Sequence, residues 1–161
     1  MQELYEGIDL TPDQSEWIVR GLLDLAAVDG IHDAERALIS DFHAGEGGGE
    51  SLEALAAKGF DAKAAATVFH NGGARVVEAF IVSCYLLIYA DGQHSDAERA
   101  RIAEYASALG LDHGALEELH VKARLYVLQS LAHLLWNRDT VKEIGASMGL
   151  TEDHINRALE K

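Results

Sequence analysis

Amphipathic stretches broken by glycine, proline and capping residues run along nearly the whole chain, and no window of β-branched residues alternates for six positions as a strand would. Thr11-Pro12-Asp13-Gln14 reads as a capping box with proline at the first helical position, predicting a helix to about Val28 that Asp29-Gly30 ends. A second helix is expected from about Asp33 to His43. Gly45-Glu46-Gly47-Gly48-Gly49 cannot hold a helix cheaply, and without Lys, Ser or Thr it is no phosphate loop; it reads as a flexible connector.

Further helices are expected from Ser51 to Lys58 and from the cap Asp61 to His70. After the turn Asn71-Gly72-Gly73 a long apolar helix runs from about Ala74 to Ala90. Its run Ala79 to Ala90 is about two-thirds of a membrane span, so it reads as a buried central helix. Ser95 and Glu98 form another capping box for a helix to Leu109, and the next is expected to reach Trp136. Thr140 with Glu143 opens a shorter helix, and Thr151 caps a last one. A glycine–hydrophobic–cap triplet occurs at Gly59-Phe60-Asp61, Gly110-Leu111-Asp112 and Gly149-Leu150-Thr151. Such a triplet predicts a left-handed glycine, an apolar residue folded back on the helix end, and a new N-cap. The expectation is one all-α domain over residues 1–161 with about nine helices.

Two segments match each other. AAVDGIHDAERALI (26–39) and IYADGQHSDAERARI (88–102) both follow an apolar helix and read Asp-Gly-x-His, then Asp-Ala-Glu-Arg-Ala. The second has one extra residue, Ser95. The match implies a pseudo-duplicated helix–AspGly–helix hairpin.

Composition narrows the function classes. An apolar fraction of 48% and a charged fraction of 25% suit a globular domain. A net charge of −14 repels polyanions, so nucleic acid and anionic membrane are poor partners, while cations or a basic protein face suit the chain. The lone Cys84 sits in an apolar run and reads as a buried thiol. The N-terminal MQELYEGIDL has neither the basic region nor the apolar core of a signal peptide, so a soluble, cytoplasmic protein is expected.

Tyr89-Ala90-Asp91-Gly92 with Glu98, and Ala27-Val28-Asp29-Gly30 with Glu35 one residue short, resemble the mark of the TerB and TerB-like tellurite-resistance family. The resemblance covers roughly residues 12–120, with residues 121–161 as additional C-terminal helices. It implies a non-enzymatic α-helical binding or scaffolding protein of bacterial tellurite and stress resistance, sometimes with membrane partners; together with the net charge this gives the expectation of a basic or membrane-associated protein partner. It also implies a divalent metal held by paired acids.

The Asp-Gly loops carry residues for that chemistry. Asp29, Glu35, Asp91 and Glu98 are the candidate ligands, with His32 and His94 as additions. Oxygen donors alone suit Ca²⁺ or Mg²⁺, whereas an added imidazole tilts toward Zn²⁺ or Mn²⁺. The spacing is not that of an EF-hand. A purely structural reading stands beside this: Glu98 closes a capping box with Ser95, and Asp33 and Asp96 suit helix N-termini. The opposing class is a metal-dependent enzyme using the same carboxylates and histidines.

Other signals are weaker. VKEIGASMGLTEDHI (141–155) has a helix-turn-helix pattern, but its second helix is too acidic to face phosphates. Glu117 and His120 form a single Glu-x-x-His pair where a di-iron bundle needs two. Cys84 has no second cysteine, and His43, His70, His113, His133 and His154 read as surface or helix-end residues.

Overall fold

A computed structural model describes residues 1–90, 92, 95–134 and 137–160. The described residues form nine α-helices and a short 3₁₀ turn, Gln2–Tyr5, which local patterning does not foretell. The helices are α1 Pro12–Ala26, α2 Asp33–Gly45, α3 Leu52–Lys58, α4 Ala62–Asn71, α5 Ala74–Tyr89, α6 Asp96–Ala108, α7 His113–Leu134, α8 Arg138–Ser147 and α9 Glu152–Leu159. No strand occurs among the described residues, and none of their helices is long and apolar enough to cross a membrane. The chain divides into two compact units, Met1–Leu116 and Glu117–Lys161.

In the N-terminal unit α5 is buried on every face from Ala79 to Ile88, and α1, α2, α4, α6 and the 3₁₀ turn pack against it. Each fully buried Phe, Ile or Leu there contributes about 1.5–3 kcal/mol. The one hydroxyl in this stretch besides Tyr85, that of Ser83, is buried and donates to Ala79 O at 2.8 Å. Its single proton is thereby committed, so the Tyr5 hydroxyl donates to Ser83 Oγ at 2.9 Å. Tyr5 also packs on Phe42, ring centroids 5.0 Å apart, which ties the first residues to the core. Cys84 is buried as its apolar context predicts, and burial pushes its thiol well above the ordinary range.

Helix ends follow the punctuation with two corrections. Thr11, Ser51, Asp61, Ser95 and Thr151 are N-caps whose side chains accept backbone N–H groups, as their positions predict. α8, however, opens before Thr140: Asn137 is its cap and accepts from Asp139 N at 2.9 Å. Two of the three glycine triplets form the expected C-terminal motif. Leu111 N donates to Ala106 O at 2.9 Å and Leu150 N to Gly145 O at 3.1 Å, after Gly110 (φ 81°) and Gly149 (φ 74°). The third differs. Gly59 is itself the C-cap of α3, with φ 70° and ψ −173°, so the chain leaves extended instead of folding back. Phe60 then packs edge-on against Tyr105 (5.0 Å) and Trp17 (5.9 Å).

In the C-terminal unit Leu128, Val141, Leu150, Ile155 and Ala158 form the core. Gly145 permits the close approach of α8, since a Cβ there would sit 2.8 Å from Ile155 and 3.1 Å from Leu128.

Gly110 is expected to be intolerant in a way Gly114 is not. Gly110→Ala forces a side chain into the left-handed region and should cost about 1–2 kcal/mol. A Cβ at Gly114, inside α7, meets only Asp112 Oδ1 at 3.5 Å. Gly114→Ala should therefore be neutral or stabilising by up to about 1 kcal/mol. Urea unfolding of both variants checks the contrast.

Candidate functional site

Both Asp-Ala-Glu segments begin a helix, and in both the glutamate stands at the third helical position. Glu35 Oε2 accepts from the His32 N–H at 2.9 Å, and Glu98 Oε2 accepts from the Ser95 N–H at 2.8 Å. Ser95 Oγ returns the bond by accepting from the Glu98 N–H at 3.1 Å. The capping reading of Glu98 is thus realised, and Glu35 makes the matching bond. Both carboxylates are withdrawn from solvent, at 0% and 2% exposure. These bonds satisfy one oxygen of each buried carboxyl group with a free N–H of the helix start.

The remaining candidates are placed differently. Asp29 is exposed in the bend after α1, Gly30 takes φ 88°, and His32 is exposed as the N-cap of α2. The capping bond turns Glu35 inward while Asp29 faces water, so the first junction does not bring Asp29, His32 and Glu35 into one ligand set. Among the described residues no three His, Cys, Asp or Glu side chains gather closely enough to hold a metal ion. In the second junction Gly92 takes φ 73°, whereas Asp91 and His94 lie outside the described residues. The extra Ser95 also breaks the register of the histidines. His32 is itself the cap, while the second cap is Ser95, one residue after His94.

The surface of the first junction combines charge with an apolar side chain. Asp29, His32, Asp33 and Arg36 are exposed, and between them Ile31 is 38% exposed. Only Leu134 joins it as an exposed large hydrophobic side chain among the described residues. At the second junction Asp96 is exposed and paired with Arg99 at 3.2 Å.

A second acidic feature has no signature in the local sequence. The glycine loop, α1 and α3 border a cleft of about 430 Å³ lined by Ser15, Glu16, His43, Glu46, Glu50 and Leu55, among others. Lys58 Nζ donates to Glu16 at 2.9 Å and to Glu50 at 2.6 Å, and these bonds push the lysine up from its ordinary value. Ser15 donates to Glu46 at 3.3 Å, and His43 Nε2 lies 2.8 Å from Glu50 O. The cleft's acids therefore already hold an internal ammonium. Glu16 and Lys58 stand 42 residues apart, so no local spacing could pair them.

Further in, Asp24 joins α1 to α6. Arg101 Nη1 donates to its Oδ2 at 2.9 Å, and the Tyr105 hydroxyl donates to the same oxygen. Burial first, and then the bond to Asp24, raise the Tyr105 phenol far above its ordinary value. At any ordinary pH this tyrosine is a neutral donor that joins two helices.

Comparison with family models, with curated proteins and with solved structures returns no match.

The capping geometry makes a specific demand on Glu98. Glu98→Gln keeps an acceptor for the Ser95 N–H and should change stability by no more than about 0.5 kcal/mol, whereas Glu98→Ala should cost about 1–2 kcal/mol. Denaturant midpoints of the two variants decide it. Equal losses would show that charge, and not the hydrogen bond, is what the position supplies.

Proposed function

We propose that this chain is a non-enzymatic, TerB-like binding protein of bacterial tellurite and stress resistance whose N-terminal unit engages a basic protein face. The observation that carries the reading is the first Asp-Gly junction: exposed Ile31 flanked by exposed Asp29 and Asp33, on a helix start held by the buried Glu35. An apolar side chain with a carboxylate on either side offers a partner burial at the centre and ionic contacts at the rim. The charge distribution supports it. Residues 1–116 hold 20 of the 27 acidic side chains and only seven of the 13 basic ones. Basic side chains of this unit are also engaged internally: Arg20 donates to Gly59 O at 2.7 Å, Arg75 to Glu6 O at 3.2 Å, and Arg101 to Asp24. The field facing solvent is accordingly negative, which speeds encounter with a cationic partner.

Binding of a lysine-rich helical peptide to the full chain should weaken steeply with added salt. Asp29→Asn with Asp33→Asn, or Ile31→Ala alone, should reduce its affinity about tenfold, equivalent to about 1.4 kcal/mol. Neutralising the equally exposed Asp13 and Asp41 should not. If both pairs act alike, attraction is diffuse and the junction is no docking site. Ca²⁺, Mg²⁺, Mn²⁺ and Zn²⁺ form the parallel arm. A metal bound only by the folded chain raises stability by about 2.7 kcal/mol at a hundredfold excess over its dissociation constant. A shift of that kind, lost in Asp91→Asn, would move the reading from a basic protein to a metal ion.

A further inference from the structure

The C-terminal unit differs electrostatically from the N-terminal one. Residues 117–161 carry seven acidic and six basic side chains, so the unit is close to neutral. Its surface is hollowed between α7 and α9. Two adjoining hollows of about 640 and 480 Å³ share Gln129 of α7 and Ala158 of α9 and together make one groove. Leu125 and Ala132 of α7 and Leu159 of α9 give it apolar walls. All three pack against the unit's core while remaining only partly buried.

Two arginines stand at the border of this groove. Arg138 and His133 line one hollow, and Arg157 and His154 line the other, with Glu160 as the acidic side chain among them. Arg138 Nη2 donates to Leu159 O at 3.2 Å, which holds its guanidinium at the groove. Arg157 pairs with Asp153 at 3.0 Å, but their side chains are 75% and 66% exposed, so water screens the pair and it can be exchanged cheaply. Beyond the groove, Leu134 at the end of α7 is 74% exposed.

We propose that the α7–α9 groove docks an acidic amphipathic helix of a partner protein. Two helices with an apolar trough between them are completed by a third helix that lays its own apolar stripe there. The arginines select the partner's flanking charge: carboxylates beside the stripe meet Arg138 and Arg157, and lysines there would be repelled. Small Ala132 and Ala158 let the incoming backbone approach closely. A nucleic acid would need a continuous cationic track, whereas Glu152, Asp153 and Glu160 all lie on or beside α9. This docking surface is independent of the one in the N-terminal unit and asks for a partner of opposite charge.

A phage-displayed library of helical peptides selected against the full chain tests it. Enriched peptides should carry apolar residues at i, i+3, i+4 and i+7, flanked by Asp or Glu. Gln129→Glu, which keeps the side chain's shape and adds a negative charge at the groove's centre, should weaken them about tenfold, as should Arg157→Glu. Melting curves should stay unchanged, because Gln129 is only partly buried and Arg157 is exposed. Ile31→Ala should leave this binding intact, which separates it from the reading of the Asp-Gly junction. Absence of enrichment, selection of basic peptides, or indifference to both groove variants would overturn the proposal. So would duplex DNA binding that Gln129→Glu abolishes, or self-association abolished by the same change, since either gives the groove another occupant.

Discussion

A helix that is apolar on every face cannot stay in water uncovered, and the N-terminal unit is organised around that constraint. From Ala79 to Ile88 helix α5 offers water no face, so α1, α2, α4 and α6 must surround it. Surrounding one short rod with several short rods demands many chain reversals within a few residues each. Those reversals leave free N–H and C=O groups at each helix end, and satisfying them is the second requirement. The buried Glu35 and Glu98 answer it at helix starts. Arginines answer it at helix ends: in this unit Arg20 on the Lys58 and Gly59 carbonyls, and in the C-terminal unit, which meets the same requirement, Arg124 on Met148 O at 2.9 Å and Arg138 on Leu159 O.

This use of arginine has an electrostatic consequence. A guanidinium bound to the negative end of a helix stabilises it, but its charge is then partly matched by the chain's own carbonyls. Side chains such as Lys58, held between Glu16 and Glu50, are matched more completely still. Acidic residues at helix starts and junctions, such as Asp29, Asp33 and Asp96, remain at the surface. The acidic excess of the N-terminal unit is therefore expressed outward.

What is legible in the sequence is what short-range chemistry controls. Caps, left-handed glycines and the apolar α5 are decided within four or five residues, so the roles of Thr11, Ser95, Gly110 and Gly149 follow from their immediate neighbours. Asn137 is harder to see because Thr140 with Glu143 offers a competing box; asparagine wins by accepting from Asp139 N directly. Gly59 departs from its pattern for a tertiary reason. Arg20 takes the Lys58 and Gly59 carbonyls, and Phe60 is drawn into the Trp17, Phe80 and Tyr105 rings, so the chain extends instead of folding back. The acidic cleft and the α7–α9 groove join residues far apart in the chain, and local spacing has no access to them.

The two similar Asp-Gly segments show which of their residues the helix junction itself requires. A helix junction explains the glutamate, because a buried acceptor at the third helical position is needed in both copies. It does not explain an exposed isoleucine at the first junction, where His32 stands at the cap position. Serine, with a short oxygen-bearing side chain, is the better N-cap by general preference, and the second copy has it. In the first junction the residues between Gly30 and Asp33 are Ile31 and His32. They lie on the surface of the unit that carries most of the chain's negative charge, and the property they share is exposure. Capping accounts for His32 at the start of α2, and it leaves Ile31, 38% exposed, as the residue of this junction that helix formation does not explain.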